Sequence, residues 1–131
     1  MVLKWYGEPF FVEKGKVIVQ KEIGPNRTQF TFAANGTMNG NIEVTNTGKF
    51  VSVYKGNQSF EQGQAVIKTK DGSETTNYTF IDVFNGTDLQ GAAAYSTNST
   101  GELSFLNNIL GIFKGGQDDS GNYALEHWHW K

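Results

Sequence analysis

The chain has no cysteine, only two prolines and a single arginine, Arg27. Each scarcity excludes something. Without cysteine there is no disulfide to brace the fold and no thiolate to hold a metal. With one arginine, paired guanidinium clamps for phosphate or carboxylate are scarce. Eleven basic and thirteen acidic residues leave a net charge of −2, scattered along the chain. That balance argues against a nucleic-acid footprint or a patch for anionic membranes. No apolar run approaches the ~20 residues of a helical membrane span. The first residues carry no secretory hydrophobic region. This fits a cytoplasmic chain, or an extracellular one in its mature form.

What is present is glycine and aromatic carbon. Sixteen glycines and 14% aromatic residues in 131 positions suit short strands joined by tight turns. Turn signals recur at Gly24-Pro25-Asn26, Asn39-Gly40, Lys55-Gly56-Asn57, Asp71-Gly72, Asn85-Gly86 and Asp118 to Asn122. Asn-Gly and Asp-Gly accept the positive φ of tight hairpins. Between them apolar residues alternate: Val17 with Val19, Phe30 with Phe32, Ile42 with Val44, Val51 with Val53. Gln64 to Lys70 and Glu74 to Phe84 read as one long hairpin. The pattern predicts one all-β domain over residues 1–131, a closed antiparallel barrel of about eight strands.

One segment departs from alternation. Ser99-Thr100-Gly101-Glu102 has capping-box spacing, and Leu103, Leu106 and Leu110 follow at helical intervals. A helix over 101–114 is one reading. The preferred one is a short helix near residues 101–107, ending at Asn107-Asn108, with strand resuming at Ile109.

Three stretches carry a resemblance: Gly40 to Gly48 (GNIEVTNTG), Gly63 to Gly72 (GQAVIKTKDG), and Ser99 to Asn108 (STGELSFLNN) followed by Gly121-Asn122 and a Trp-x-Trp-Lys terminus. With these motifs in this order, the chain resembles a family of short, uncharacterised archaeal and bacterial proteins over residues 15–131. The family has no established activity, so the resemblance implies no residue role. More loosely, strand count and length are similar to the allene-oxide-cyclase-like and dirigent barrels. Lys4-Trp5-Tyr6-Gly7 is similar to the N-terminal tryptophan motif of the calycins, although Leu3 stands where those carry glycine. These are likenesses of fold, and fold does not fix function.

The C-terminal run Tyr123-Ala124-Leu125-Glu126-His127-Trp128-His129-Trp130-Lys131 is the richest in chemistry. Side chains of a strand alternate faces. One face therefore carries Tyr123, Leu125, His127 and His129, and the other Ala124, Glu126, Trp128 and Trp130. Two indoles fill a small barrel well, and two buried imidazoles need several hydrogen-bond partners. Trp128, Trp130 and Glu126 are therefore expected inside as a ligand-binding wall, with His127 and His129 outside. Asp82 shares a face with Tyr78, Phe80 and Phe84, which makes Asp82 and Tyr78 further candidates for the lumen. A metal site on His127 and His129 would need a carboxylate such as Asp82 or Glu43 as third ligand; no metal or other cofactor is expected. Six Asn-x-Ser/Thr sequons, at Asn26, Asn35, Asn57, Asn77, Asn85 and Asn98, fit either glycosylation or turn chemistry.

These features point to a non-enzymatic barrel that binds an apolar small molecule or serves as an assembly subunit. Apolar residues on both faces of several strands predict a homo-oligomer. Two alternatives stay open. One is a cyclase or isomerase using a lumen carboxylate, and the other is a glycosylated surface or extracellular structural protein.

Overall fold

The computed structural model describes residues 7–130. Eight strands follow one another: β1 (Phe11–Gly24), β2 (Arg27–Met38), β3 (Ile42–Lys55), β4 (Gln58–Thr69), β5 (Thr75–Asn85), β6 (Asp88–Ser96), β7 (Ile109–Gln117) and β8 (Asn122–His129). Each pairs antiparallel with its chain neighbour, and β8 returns to β1 to close the barrel. The turn residues make this order cheap. Asn26, Asn39, Gly40, Gly56, Gly72, Gly86 and Gly121 all hold positive φ, as the Asn-Gly and Asp-Gly signals predict. No helix among the described residues is long and apolar enough to cross a membrane.

Alternation puts one face of every strand inside. Phe32, Phe50, Phe80 and Phe113 meet there at ring separations near 6 Å, mostly edge to face. Interior glycines make room for these rings. A Cβ on Gly91 would lie 2.5 Å from the Phe113 ring and 2.6 Å from Asp82 Cβ.

The two ends of the barrel differ. One end carries only tight turns, between β1 and β2, β3 and β4, β5 and β6, and β7 and β8. At the other, the long β6–β7 connection carries Leu103 and Leu106, both fully buried in the core. Here the expected helix over 101–107 shrinks to one 3-10 turn, Ser104–Leu106. Glu102 does not cap it. Glu74, from the β4–β5 turn, accepts the N–H groups of Glu102 and Leu103, each at 3.0 Å, and the Ser99 hydroxyl. The Leu103 N–H and the Ser99 hydroxyl hold the Glu74 carboxyl below its usual range. With a long-range carboxylate satisfying these donors and Ile109 starting β7, no room remains for a second helical turn.

β1 outlasts its partner. β8 pairs only with Phe11 to Lys16, so residues 18–24 keep a free edge among the described residues. Two register shifts, at Val19/Lys21 and Glu22/Gly24, break that edge. Bulges of this kind protect an open strand from adventitious pairing.

Candidate functional site in the barrel lumen

The structure reverses the expected faces of β8. Tyr123, Leu125 and His127 point inward, with His127 1% exposed. Trp128 lies on the outer wall, is buried, and donates its Nε1 hydrogen to the Gly7 carbonyl at 2.9 Å. Trp130 is also outside and 52% exposed, and Glu126 and His129 are exposed. The expected Trp128–Trp130–Glu126 wall therefore does not line the lumen, whereas Asp82 and Tyr78 do. The tryptophan part of the calycin likeness, Trp5, lies outside the described residues.

His127 can face inward because it finds the partners that burial demands. Its Nε2 lies 2.6 Å from Glu13 Oε2, and its Nδ1 lies 2.9 Å from the Tyr95 hydroxyl. The other Glu13 oxygen, Oε1, accepts from Asn46 Nδ2 and from the Tyr123 hydroxyl, both at 3.0 Å. Glu13 thus accepts on both oxygens. Nε2 of His127 pairs with the carboxylate, and Nδ1 pairs with the Tyr95 hydroxyl. Asn46 Nδ2 also donates to the Tyr78 hydroxyl at 2.7 Å. Burial first, and then the nearby Glu13 charge, push the Tyr78, Tyr95 and Tyr123 hydroxyls up, so they remain proton donors. With both ring nitrogens of His127 engaged and His129 exposed at the end of β8, the two histidines do not present a shared pair of free metal ligands.

A second polar group sits toward the end that carries only tight turns. Glu61 on β4 and Asp82 on β5 are directly opposite across the ladder. They are 8% and 7% exposed. Ser52 of β3 donates its hydroxyl to Glu61. Burial, followed by the hydrogen bond and negative charge of Glu61, pushes the Asp82 carboxyl up to about 10. The Glu61–Asp82 pair therefore keeps one proton at neutral pH. Its Oδ1 is buried and has no hydrogen-bond partner among the described residues. Thr28 and Ser59, buried at the second positions of β2 and β4, add hydroxyls to this end.

An internal space of about 40 Å³ is lined by both groups, including Glu13, His127, Tyr78, Glu61 and Asp82, with the phenylalanine rings between. A buried water needs ~10–15 Å³. The space therefore takes about three waters, or three to four heavy atoms of a ligand. Drug-sized apolar ligands occupy ~300–1,000 Å³.

All six sequon asparagines are exposed. Asn26, Asn57 and Asn85 lie in or beside the turns at the Glu61–Asp82 end. In the first two sequons the hydroxyl residue, Thr28 or Ser59, points inward and is buried.

The chain matches no protein-family model and no curated protein sequence. It is similar in structure to two proteins of unknown function. One is the conserved protein RPA1785 from Rhodopseudomonas palustris, at TM-score 0.72 and 12% identity, covering 93% of this chain and 95% of that one. The other comes from Clostridium acetobutylicum ATCC 824, at TM-score 0.70 and 10% identity, covering 93% and 96%. At these identities the likeness is one of fold: a small, closed β-barrel whose known examples here are uncharacterised. The finer likeness to allene-oxide-cyclase barrels is not among these findings.

Proposed function

We propose that the chain is a single-domain, non-enzymatic binding barrel that takes a compact small molecule into its lumen beside Ser52, Glu61 and Asp82. One observation carries this reading. Asp82 holds a buried, unpartnered oxygen at the wall of an internal space. Buried polar atoms are normally satisfied, and an exception calls for a partner. The size of the space and its unpartnered oxygen favour a compact polar ligand over the apolar small molecule expected from the sequence. Tyr78 forms the deeper wall. A fragment screen read by backbone amide shifts tests this. Binding should move the signals of Ser52, Glu61 and Asp82 and leave the Trp128 and Trp130 indoles unmoved. If fragments of three to four heavy atoms move no lumen signal, the reading fails.

A second reading concerns the outer wall. Ile81, Leu110 and Trp130 are 63%, 52% and 52% exposed, and a shallow groove over β3 to β7 joins them to Val51 and Ala92. Contiguous outward apolar side chains favour a homo-oligomer. Light scattering at micromolar concentration should give a multiple of the 14.5 kDa chain mass, and Ile81→Lys should reduce it. A monomeric mass for the unsubstituted chain removes this reading. The same proton-holding Asp82 is also what a cyclase or isomerase would use as its acid, and turnover of an unsaturated substrate abolished by Asp82→Asn would favour that alternative.

A further inference from the structure

Granting that the lumen binds a ligand, we infer that its ligand class is a compact cation, a primary ammonium or guanidinium group, held between the Glu61–Asp82 carboxyls and the faces of the lumen phenylalanines. Three features converge on this chemistry. First, the wall offers acceptors where the ligand would sit. Asp82 Oδ1 is unpartnered, and Glu61 receives the Ser52 hydroxyl and shares the one proton of the carboxyl pair. Second, no lysine or arginine lines the space, so no side chain of the described residues already fills the cationic role. Third, Phe32, Phe50, Phe80 and Phe113 line the same space, together with Val17, Leu89, Leu125 and Gln117. Aromatic faces are negative at their centres and attract ammonium and guanidinium groups, most strongly away from water. Carboxyls together with aromatic rings discriminate an organic cation from a neutral molecule of the same shape.

Size sharpens the class. A space of about 40 Å³ admits a head group of three to four heavy atoms, with any larger remainder of the ligand projecting past Thr28 and Ser59 at the rim. A buried carboxyl pair tolerates one shared proton far better than two negative charges. The cation takes the place of that proton. The Asp82 carboxyl gives up its hydrogen to solvent, and its carboxylate pairs with the incoming positive charge, so charge in the lumen is unchanged. Burial and Glu61 hold the Asp82 proton up to about 10, so the exchange costs less as pH rises toward that value. The other titratable groups around the space are Glu13 of β1, Tyr78 of β5, and Tyr123 and His127 of β8. Tyr123 and His127 are each hydrogen-bonded to Glu13, and Asn46 ties Tyr78 to Glu13.

The test compares guanidinium with urea, which has nearly the same shape and no charge, at millimolar concentrations well below those that unfold proteins. Calorimetry and amide shifts are read at pH 6, 7 and 8 on the folded protein and on Asp82→Asn. Guanidinium should bind at least about tenfold more tightly than urea. Its affinity should rise about tenfold per pH unit, with release of one proton. Asp82→Asn should abolish the pH dependence and most of the preference. Glu61→Gln, which also keeps the shape, is the second variant and should reduce the preference if Asp82→Asn does not fold. Equal binding of urea and guanidinium at Ser52, Glu61 and Asp82 overturns the cation inference and leaves the lumen-binding reading standing. Absence of any lumen shift with either probe overturns both.

Discussion

The barrel buries two polar clusters that share one lumen and differ in every respect that matters. Around Glu13, five groups from β1, β3, β6 and β8 form a connected network. His127, Asn46 and Tyr123 donate to the carboxylate, and Tyr95 completes the histidine. Around Asp82, two carboxyls face each other, one hydroxyl serves Glu61, and one buried oxygen has nothing. The Glu13 carboxylate receives three donors, although Asn46 Oδ1 in the same network has no partner among the described residues; a well-connected buried network rigidifies a fold, and a sparsely partnered carboxyl pair is costly unless something else completes it. The first cluster reads as part of the architecture. It sits beneath the Phe10 and Phe11 rings and the buried leucines of the β6–β7 connection. The second, near the end closed only by tight turns, reads as the place where a ligand enters.

Removing a member should separate the two clusters sharply. Glu13→Ala strips the acceptor from three buried donors at once and should cost about 3–5 kcal/mol of stability, read from urea denaturation. A loss below about 1 kcal/mol would show that the network is not architectural. Gly91→Ala should cost about 1–3 kcal/mol, because its Cβ would press on the Phe113 ring and on Asp82 Cβ; the same midpoint measurement applies. Asp82→Asn should be nearly neutral at acid pH, since it keeps the shape and the carboxyl it replaces is protonated there in both the folded and the unfolded state. Its effect should grow with pH. A carboxyl whose folded pKa is raised is protonated in the folded state and ionised in the unfolded one. Its contribution is complete below the ordinary carboxylate range and is lost as pH rises toward about 10, by at most about 1.4 kcal/mol per unit. Between pH 5 and 9 the stability of the unsubstituted protein should therefore fall more steeply than that of Asp82→Asn. Parallel profiles would contradict the shift.

The sequence made the barrel readable because its signals are local. Asn-Gly and Asp-Gly pairs set the hairpins, and alternation over Phe30 to Ala34 or Ile42 to Asn46 set the faces. Asp82 and Tyr78 were readable for the same reason, standing two positions from Phe80 on one face. The rest of the site was not. Glu13 and Glu61 precede the first clear alternation in their strands, which begins at Val17 and Gln64 in sequence but at Phe11 and Gln58 in the structure. The inward turn of His127 depends on Glu13, Tyr95 and Tyr123, and two of its hydrogen-bonded partners lie 32 and 114 positions away. Volume alone favours the tryptophans inside. Hydrogen bonding decides otherwise, and nothing local announces it. The capping of residues 102 and 103 by Glu74 is a third case, a distant carboxylate taking a role that local spacing assigns to Glu102.

The most direct test of the contrast is the titration of the Asp82 side-chain carboxyl, followed by its carbon-13 signal in selectively labelled protein without ligand. A midpoint far above the ordinary carboxylate value of 3.8, toward about 10, is the result expected of a buried acid that keeps its proton beside Glu61. A midpoint near 3.8 would mean that Asp82 is solvated and ionised, and the lumen would then hold no incomplete site.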